Sequence, residues 1–208
     1  MITAGGVRVV YLIDDDAGVR KAFARLLTAA GHEVQTFASG REFLESHVSC
    51  EGPACMLLDV QMPDVTGLEL HRELQVANAA LPVVYITAHV DVPTTVRAMK
   101  QGAVDFLSKP VNESDLLRAT AQALARAARE HAEREQRGLV ERRARTLTRR
   151  EHEVMALVVL GNMNKRIADR LGTSEKTVKV HRARVMQKMQ VHSVADLVRA
   201  TQAIGFVA

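Results

Sequence analysis

Acidic side chains and one lysine stand directly after short apolar runs of this 208-residue chain. They are Asp14, Asp15 and Asp16 after Val7–Ile13, Asp59 at the end of the run that starts at Met56, and Lys109 after Asp105–Ser108. Apolar runs of this length, bounded by turn residues, are typical of strands buried on both faces of a parallel sheet. Since the carboxyl ends of such strands meet at one edge, where open α/β sheets bind ligands, we expect these side chains to converge.

A cluster of acids is unfavourable alone, because two carboxylates ~4 Å apart repel by about 4 kcal/mol at an effective dielectric of about 20. No Cys or His stands at these strand ends, so the cluster offers only oxygen ligands, which favour a hard cation such as Mg²⁺ or Mn²⁺. A carboxylate beside Mg²⁺ and a lysine can attack a phosphoryl group, since both cations neutralise the charge that develops. We predict that Asp59 is this nucleophile.

Further residues around these acids form a pattern that resembles the receiver domain of two-component response regulators. The pattern consists of the acids after the first strand, Asp59-x-x-Met62-Pro63-x-x-x-Gly67 after the third, Thr87-Ala88 after the fourth and Lys109-Pro110 after the fifth. One Asp at a strand end is ordinary. The resemblance, which covers about Val7 to Arg126, therefore depends on the whole set in this order.

The resemblance implies how the site would hold Mg²⁺. Asp15 and Asp59 would ligate the ion together with the backbone carbonyl of Gln61. Asp14 would act through a water molecule, and Asp16 would be peripheral to the site.

The resemblance also implies which groups hold the phosphoryl oxygens. Thr87 and the backbone N–H of Ala88 would donate hydrogen bonds, and Lys109 would pair with another oxygen beside a cis Lys109–Pro110 peptide bond. Phe106 stands where the family has a switch aromatic, a role that requires two rotamers. The alternative for Phe106 is an ordinary core position on a strand.

The first half of the sequence alternates strand-like and helix-like segments. The predicted strands are Val7–Ile13, Glu33–Phe37, Cys55–Val60, Pro82–Thr87 and Asp105–Ser108. The predicted helices are Ala17–Ala30, Ser39–His47, Leu68–Gln75, Pro93–Gln101 and a stretch from Ser114 onward. These units predict an α/β doubly wound, five-stranded parallel sheet, which for a receiver is flavodoxin-like.

Charge is divided unevenly along the chain. Residues 1–125 carry 10 Lys and Arg against 15 Asp and Glu, and residues 126–208 carry 18 against 9, so the formal charges are −5 and +9. A basic half of this size favours nucleic acid as a partner over a membrane. With no apolar run long enough to span a bilayer, and with Cys50 and Cys55 in no disulfide or metal-ligand pattern, we expect a cytoplasmic protein with free thiols.

The stretch from Ser114 to about Ala144 is rich in Ala, Arg and Glu, contains no Pro, and has one Gly, Gly138. This composition favours a long helix, with a charged disordered linker as the alternative. A heptad-like stripe predicts that its apolar face consists of Leu117, Ala121, Leu124 and Ala128. Beyond Ala128 the helix is expected to be polar on all sides and to bridge two domains through solvent.

The basic half predicts four short helices. Thr148 and Glu151 are spaced as a capping box at the start of the first, and the others are expected at Asn164–Leu171, Ser174–Met189 and Ser193–Ala203. The turn between the second and third contains Gly and ends in a capping Ser, as a helix-turn-helix requires. The segment 147–203 resembles the LuxR-type helix-turn-helix of the NarL/FixJ response regulators, with Met163 where relatives often have a Ser cap and Ala183 where some have Lys.

The helix predicted at Ser174–Met189 has a core face and an exposed face. The core face consists of Val178, Val185 and Met189, and the exposed face of Lys176, Lys179, Val180, Ala183 and Gln187. An exposed Val180 beside lysines suits a thymine methyl in a major groove, and a solvated basic face is the alternative. The predicted DNA-contacting residues, some of them phosphate contacts, are Lys165, Ser174, Lys176, Thr177, Lys179, Val180, Arg182, Ala183, Arg184 and Lys188.

Both resemblances imply a DNA-binding transcription regulator that a sensor histidine kinase activates by phosphorylating Asp59. We expect no enzyme activity beyond self-phosphorylation and self-dephosphorylation at Asp59. The other expected partners are double-stranded promoter DNA, a second copy of the phosphorylated chain and RNA polymerase. The predicted bounds are residues 1–126 for the receiver, 127–145 for a helical linker and 146–208 for the DNA-binding domain.

Two alternatives stay open. One is a phosphorylation-independent DNA-binding regulator that uses the receiver only for dimerisation. The other is a phosphatase with an aspartyl-phosphate intermediate, because Asp14-Asp15-Asp16 contains the Asp-x-Asp strand end that such enzymes use.

Overall fold

The computed structural model describes residues 8–46, 52–77, 79, 81–89 and 91–206. The strands are β1 (Val9–Ile13), β2 (Glu33–Phe37), β3 (Ala54–Asp59), β4 (Val83–Thr87) and β5 (Asp105–Ser108). The helices are α1 (Ala17–Ala29), α2 (Gly40–Glu45), α3 (Gly67–Val76), α4 (Val92–Lys100), α5 (Glu113–Arg145), α6 (Arg149–Val159), α7 (Asn164–Leu171), α8 (Glu175–Met189) and α9 (Val194–Ala203).

The five strands form one parallel sheet in the order β2-β1-β3-β4-β5. This is the doubly wound, flavodoxin-like arrangement that the sequence predicts. Every residue of β1, β3 and β4 is buried, which explains why these runs are apolar throughout rather than alternating. Each predicted strand and helix of the first half is present, and where both ends are described they differ by at most one residue. Val7, His47 and Cys50 lie outside the described residues.

Two compact units divide the chain, one up to His131 and one from Ala132 onward. In the first, side chains of the sheet form two apolar clusters on its opposite faces. In the second, one cluster joins the end of α5 to α6, α7, α8 and α9. The bounds of domains and linker predicted from the sequence stay a prediction, because the division falls inside the single helix α5.

The apolar face of α5 includes Leu124, as predicted, but its other buried residues differ from those predicted. The residues buried in its first half are Leu116, Ala119, Thr120, Ala123, Leu124 and Ala127. Ala121 is exposed, and Leu117 and Ala128 are only partly buried. Alanines occupy several faces of this helix, so periodicity alone could not identify the face that packs against the sheet. That face lies in the same apolar cluster as Leu27 of α1.

The far end of α5 also differs from the prediction, which made it polar on all sides beyond Ala128. Val140 and Ala144 are 3% and 7% exposed and pack in the core of the second unit. Between the two packed ends, residues 132–137 are all exposed. The solvent-exposed stretch of α5 is therefore short.

Four helices follow α5, as predicted, and their caps explain where they begin. Thr148 accepts a hydrogen bond from the Glu151 N–H while the Glu151 carboxylate accepts one from the Thr148 N–H, which completes the predicted capping box of α6. Met163 stands at the start of α7 and gives no side-chain cap. Within the part of the chain that the structure describes, no helix combines the length and apolar character needed to cross a membrane.

Candidate functional site

The predicted convergence of acids and lysine occurs at the carboxyl edge of the sheet. The Lys109 ammonium lies 2.7 Å from Asp14 Oδ2 and 2.6 Å from Asp59 Oδ2. Both acids are almost fully buried, at 1% and 5% exposed; Asp14 directly follows β1, and Asp59 ends the neighbouring strand β3. Lys109 thus forms a charged bridge between two strand ends that are 45 residues apart in sequence.

Asp15 completes a group of three carboxylates, and it is the exposed member. One oxygen each of Asp14, Asp15 and Asp59 can be chosen so that all lie within 4.8 Å of one another. Three carboxylates and the Lys109 ammonium carry a formal charge of −2 when ionised. Oxygen donors with this net charge fit a hard divalent cation such as Mg²⁺.

Burial and hydrogen bonds have opposite effects on the pKa values of Asp14 and Lys109. Burial raises the pKa of Asp14, although Lys109 and the Asp16 N–H donate hydrogen bonds that favour its charged form. Burial also disfavours the charged form of Lys109, but the hydrogen bonds to Asp14 and Asp59 outweigh burial and raise the pKa of Lys109. A second cation would relieve the remaining repulsion between the carboxylates.

The loop after β1 is held by contacts that sequence reasoning missed. The Arg20 guanidinium donates to the Asp14 carbonyl at 2.5 Å. Asp16 caps α1, since its Oδ1 accepts from the N–H groups of Gly18 at 2.7 Å and Val19 at 3.1 Å. Asp16 is therefore outside the carboxylate group, as the resemblance implied, but it fixes the turn that presents Asp14 and Asp15. The signal was available, because an Asp just before a helical stretch is a common N-cap.

The loop after β3 fixes the orientation of Asp59. Its Oδ1 accepts a hydrogen bond from the Gln61 N–H at 3.0 Å. Gly67 begins α3 so close to this strand end that a Cβ there would lie 2.2 Å from the Asp59 carbonyl oxygen. The glycine of the Asp-x-x-Met-Pro-x-x-x-Gly pattern is thus required by a close backbone approach. The Thr66–Glu69 capping box then starts α3 beside the site.

The ends of β4 and β5 place Thr87 and Lys109 together. Their backbones are joined by a hydrogen bond from the Lys109 N–H to the Thr87 carbonyl at 2.7 Å, and the Lys109–Pro110 peptide bond is cis, as the resemblance implied. The Thr87 side chain is fully buried, and its hydroxyl donates a hydrogen bond to the His89 carbonyl at 3.1 Å. Ala88 is exposed beside it.

Phe106 lies partly buried on β5 and packs against Tyr85 of β4, with ring centroids 6.3 Å apart. The Tyr85 hydroxyl lies 2.9 Å from His71 Nδ1 and 3.2 Å from Gln101 Oε1. Burial of His71, together with the charge of Arg126, lowers the pKa of this histidine, so the ring is neutral near pH 7. Tyr85 is thus fixed at its hydroxyl end, and a switch role of Phe106 stays a prediction.

The helix-turn-helix of the second unit is built as the sequence predicts. Gly172 ends α7 in the left-handed conformation with φ 60°, which favours glycine, and the Ser174 Oγ caps α8 by accepting from the Thr177 N–H at 3.1 Å. Val178, Val185 and Met189 are buried, at 0%, 1% and 1% exposed.

The opposite face of α8 is free of the core. Its predicted members Lys176, Lys179, Val180, Ala183 and Gln187 are all exposed, as are Lys165, Thr177 and Arg184. Val180 is 45% exposed, which places an apolar side chain among cations. Arg182 is partly buried and donates to Asn164 Oδ1 at 3.0 Å, so part of its guanidinium is used to hold α8 against α7.

Lys188, which was predicted to contact DNA phosphate, also forms contacts within the second unit. Its ammonium lies 2.6 Å from the buried Glu151 carboxylate and 3.0 Å from the Thr146 carbonyl. The hydrogen bond from Lys188, followed by that from the Thr148 N–H, lowers the pKa of Glu151 to about 2. Two of the three N–H donors of this ammonium are thus used within the second unit, and contact of Lys188 with DNA phosphate stays a prediction.

Comparison with known families finds two matches along the chain. Residues 10–121 match the model of the response regulator receiver domain, and residues 145–201 match that of bacterial regulatory proteins of the luxR family. Nodulation protein W of Bradyrhizobium diazoefficiens is 40% identical over 200 residues, which are 96% of this chain and 88% of that protein. The transcriptional regulatory protein FixJ of Azorhizobium caulinodans is 40% identical over 196 residues, covering 94% and 92%. The solved structure of the response regulator StyR matches with a TM-score of 0.83 and 44% identity over 95% of this chain and 99% of that one.

Proposed function

This chain belongs to the two-component response regulators that join a receiver domain to a LuxR-type DNA-binding domain, and we propose that phosphorylation of Asp59 controls its binding to promoter DNA. The observation that supports this best is the Lys109 bridge between the buried Asp14 and Asp59, with Asp15 beside them. It supplies a nucleophile, a cation for the phosphoryl group and oxygen ligands for a metal at one place. A helix-turn-helix in the same chain supplies the output.

In this proposal an oxygen of Asp59 attacks the phosphorus of a phosphohistidine in the sensor kinase. The new P–O bond replaces the P–N bond, whose electron pair leaves with the histidine nitrogen, which takes up a proton. Mg²⁺ held by Asp15, Asp59 and the Gln61 carbonyl, with Asp14 acting through water, would neutralise charge on the transferred group. Attack of water on the acyl phosphate later returns the carboxylate and inorganic phosphate.

Other groups would hold the phosphoryl oxygens. Lys109 would pair with one oxygen, and the Thr87 hydroxyl and the Ala88 N–H would donate to another. The Thr87 hydroxyl must then exchange its present bond to the His89 carbonyl for the phosphoryl group. A phosphoryl group adds a charge of about −1.5 to −2, so loop rearrangement around Thr87 is the expected consequence.

The exposed face of α8 would read the promoter DNA. Lys179 and Val180 would contact base edges, with Lys176 and Ala183 beside them, and Lys165, Arg184 and Thr177 would bind phosphate or sugar. Arg182 would contact DNA through the N–H groups of its guanidinium that do not donate to Asn164. Dimerisation of the phosphorylated chain and contact with RNA polymerase belong to the same proposal.

Labelling with a phosphodonor tests the receiver chemistry. We expect the wild-type chain to incorporate one labelled phosphoryl group from acetyl phosphate in the presence of Mg²⁺ or Mn²⁺. Removal of the metal with EDTA should reduce incorporation to background, because the carboxylates would then repel the incoming phosphoryl group. Incorporation that is equal with and without EDTA would contradict the metal-dependent mechanism.

Substitution on α8 tests the DNA-binding surface. The double variant Lys179→Ala, Val180→Ala should bind a duplex selected by the wild-type chain at least about tenfold more weakly, because each base contact contributes about 1–3 kcal/mol of discrimination. Phosphoryl incorporation should be unchanged. Lys21→Ala, which removes one exposed charge from α1, is the control for net charge. Wild-type affinity of the double variant would assign DNA binding to another face.

A further inference from the structure

The C-terminal end of α8 is tied to the last turn of α5. The Arg143 guanidinium donates to Gln190 Oε1 at 2.5 Å and, more weakly, to the Met189 carbonyl at 3.5 Å. All these residues lie within the second compact unit. We call Arg143, Lys188, Glu151 and Gln190 the α8 clamp.

Lys188 supplies the second half of the clamp. Its ammonium joins the Glu151 carboxylate of α6 to the Thr146 carbonyl in the turn after α5. Glu151 also accepts from the Thr148 N–H at 2.8 Å, so one buried carboxylate both starts α6 and holds α8. The last turn of α5, the start of α6 and the end of α8 are therefore joined by charged hydrogen bonds, which are the stronger kind.

The clamp includes a residue in a costly conformation. Gln190 ends α8 with φ 54°, and it is the only non-glycine residue with positive φ among those that the structure describes. Glycine would fit this conformation better, as it does at the end of α7. The side chain at position 190 therefore carries a contact that glycine would lose, and that contact is the hydrogen bond from Arg143.

We propose that Arg143 is a positioning residue for DNA recognition, which sets the direction of α8 through Gln190 and the Met189 carbonyl. Position 179 lies about ten residues before the clamp, or about 15 Å along the helix. A tilt of about 5° at the clamp would thus move Lys179 by more than 1 Å, which exceeds the tolerance of a base contact. A movement of the last turn of α5 would reach α8 by this route, a consequence that rests on the proposed function.

Binding of the full-length chain to two duplexes tests this proposal. One duplex is selected from random sequences by the wild-type chain, and the other has an unrelated sequence; affinities are measured by fluorescence anisotropy over a range of salt concentrations. Arg143→Met and Gln190→Gly should each bind the selected duplex about tenfold more weakly and the unrelated duplex with unchanged affinity. Arg142→Met, an exposed arginine of the same turn, should stay within about twofold of wild type in this assay. Arg143→Lys, which can still donate to Gln190, should recover part of the loss.

The variants separate positioning from other roles. Gln190→Gly should have a thermal midpoint no lower than wild type, because glycine removes the positive-φ cost, so its loss of specificity cannot be assigned to unfolding. If Arg143 instead touched phosphate, both duplexes would weaken and the slope of log K against log salt would fall by about 1. That result, or wild-type discrimination in Arg143→Met and Gln190→Gly, would overturn the proposal. If acetyl phosphate had no effect on DNA binding by the wild-type chain, the proposed function would be contradicted but the positioning role of Arg143 would not. The positioning role is tested by the ratio of the two affinities, which is measured without phosphorylation.

Discussion

The Asp59→Asn variant should fold like the wild type and take up no phosphoryl group from acetyl phosphate and Mg²⁺. The loss should be complete rather than graded, because an amide cannot form the acyl phosphate. The fold should persist, since the amide oxygen can still accept from the Gln61 N–H and Lys109 keeps its bond to Asp14. Autoradiography or the mass of the intact protein measures the label, and circular dichroism measures the fold.

Neighbouring aspartates supply the controls for this experiment. Asp16→Asn should label like the wild type, because Asp16 only caps α1 and asparagine is an equally good cap. Asp15→Asn should label only at higher Mg²⁺ concentration, since it keeps the nucleophile and loses a ligand charge. Label at the wild-type level in Asp59→Asn would place the nucleophile at another residue.

The receiver site was predictable because its parts follow from local patterns. An apolar run that ends in Asp predicts a strand end, and parallel strands bring their carboxyl ends to one edge whatever the length of chain between them. Asp14, Asp59 and Lys109 therefore converge as predicted, although their contacts join residues up to 95 apart. The buried environment of these groups, and the close approach that makes Gly67 necessary, depend on packing that no local pattern contains.

The second unit shows where sequence patterns fail. The amphipathic pattern of α8 located its core face, but it treated every basic residue outside that face as available to DNA. Lys188 also donates to Glu151 on another helix, and Arg182 also donates to Asn164. Whether a cation faces solvent or a buried acid is decided by helices that pack together in three dimensions. For the same reason, the sequence pattern assigned Ala121 and Ala128 to the apolar face of α5, whereas the alanines buried there are Ala119, Ala123 and Ala127.

The middle of α5 offers a way to test how the receiver acts on the DNA-binding unit. Residues 132–137 are exposed, whereas Leu124 and Val140 on either side pack into separate cores. An insertion after Gln136 therefore disturbs neither core. Gly138 has the lowest helix propensity in this part of α5, and Gly138→Ala should stabilise the helix by roughly 1 kcal/mol. The added Cβ would come no closer than 3.4 Å to its nearest neighbour, the end of the Arg142 side chain.

Insertion of seven residues after Gln136 should preserve phosphorylation-dependent regulation better than insertion of two. Seven helical steps of about 100° nearly complete two turns and rotate the following residues by only about −20°, whereas two steps rotate them by about 200°. If α5 carries the state of the receiver as a rigid helix, its phase matters more than its length, and a reporter gene measures the difference. Both variants should incorporate label normally, because the receiver is unchanged. A flexible connection would make the two insertions behave alike, since chain entropy changes slowly with length. Equal regulation in the two variants, also in the Gly138→Ala background, would therefore contradict transmission through a rigid α5.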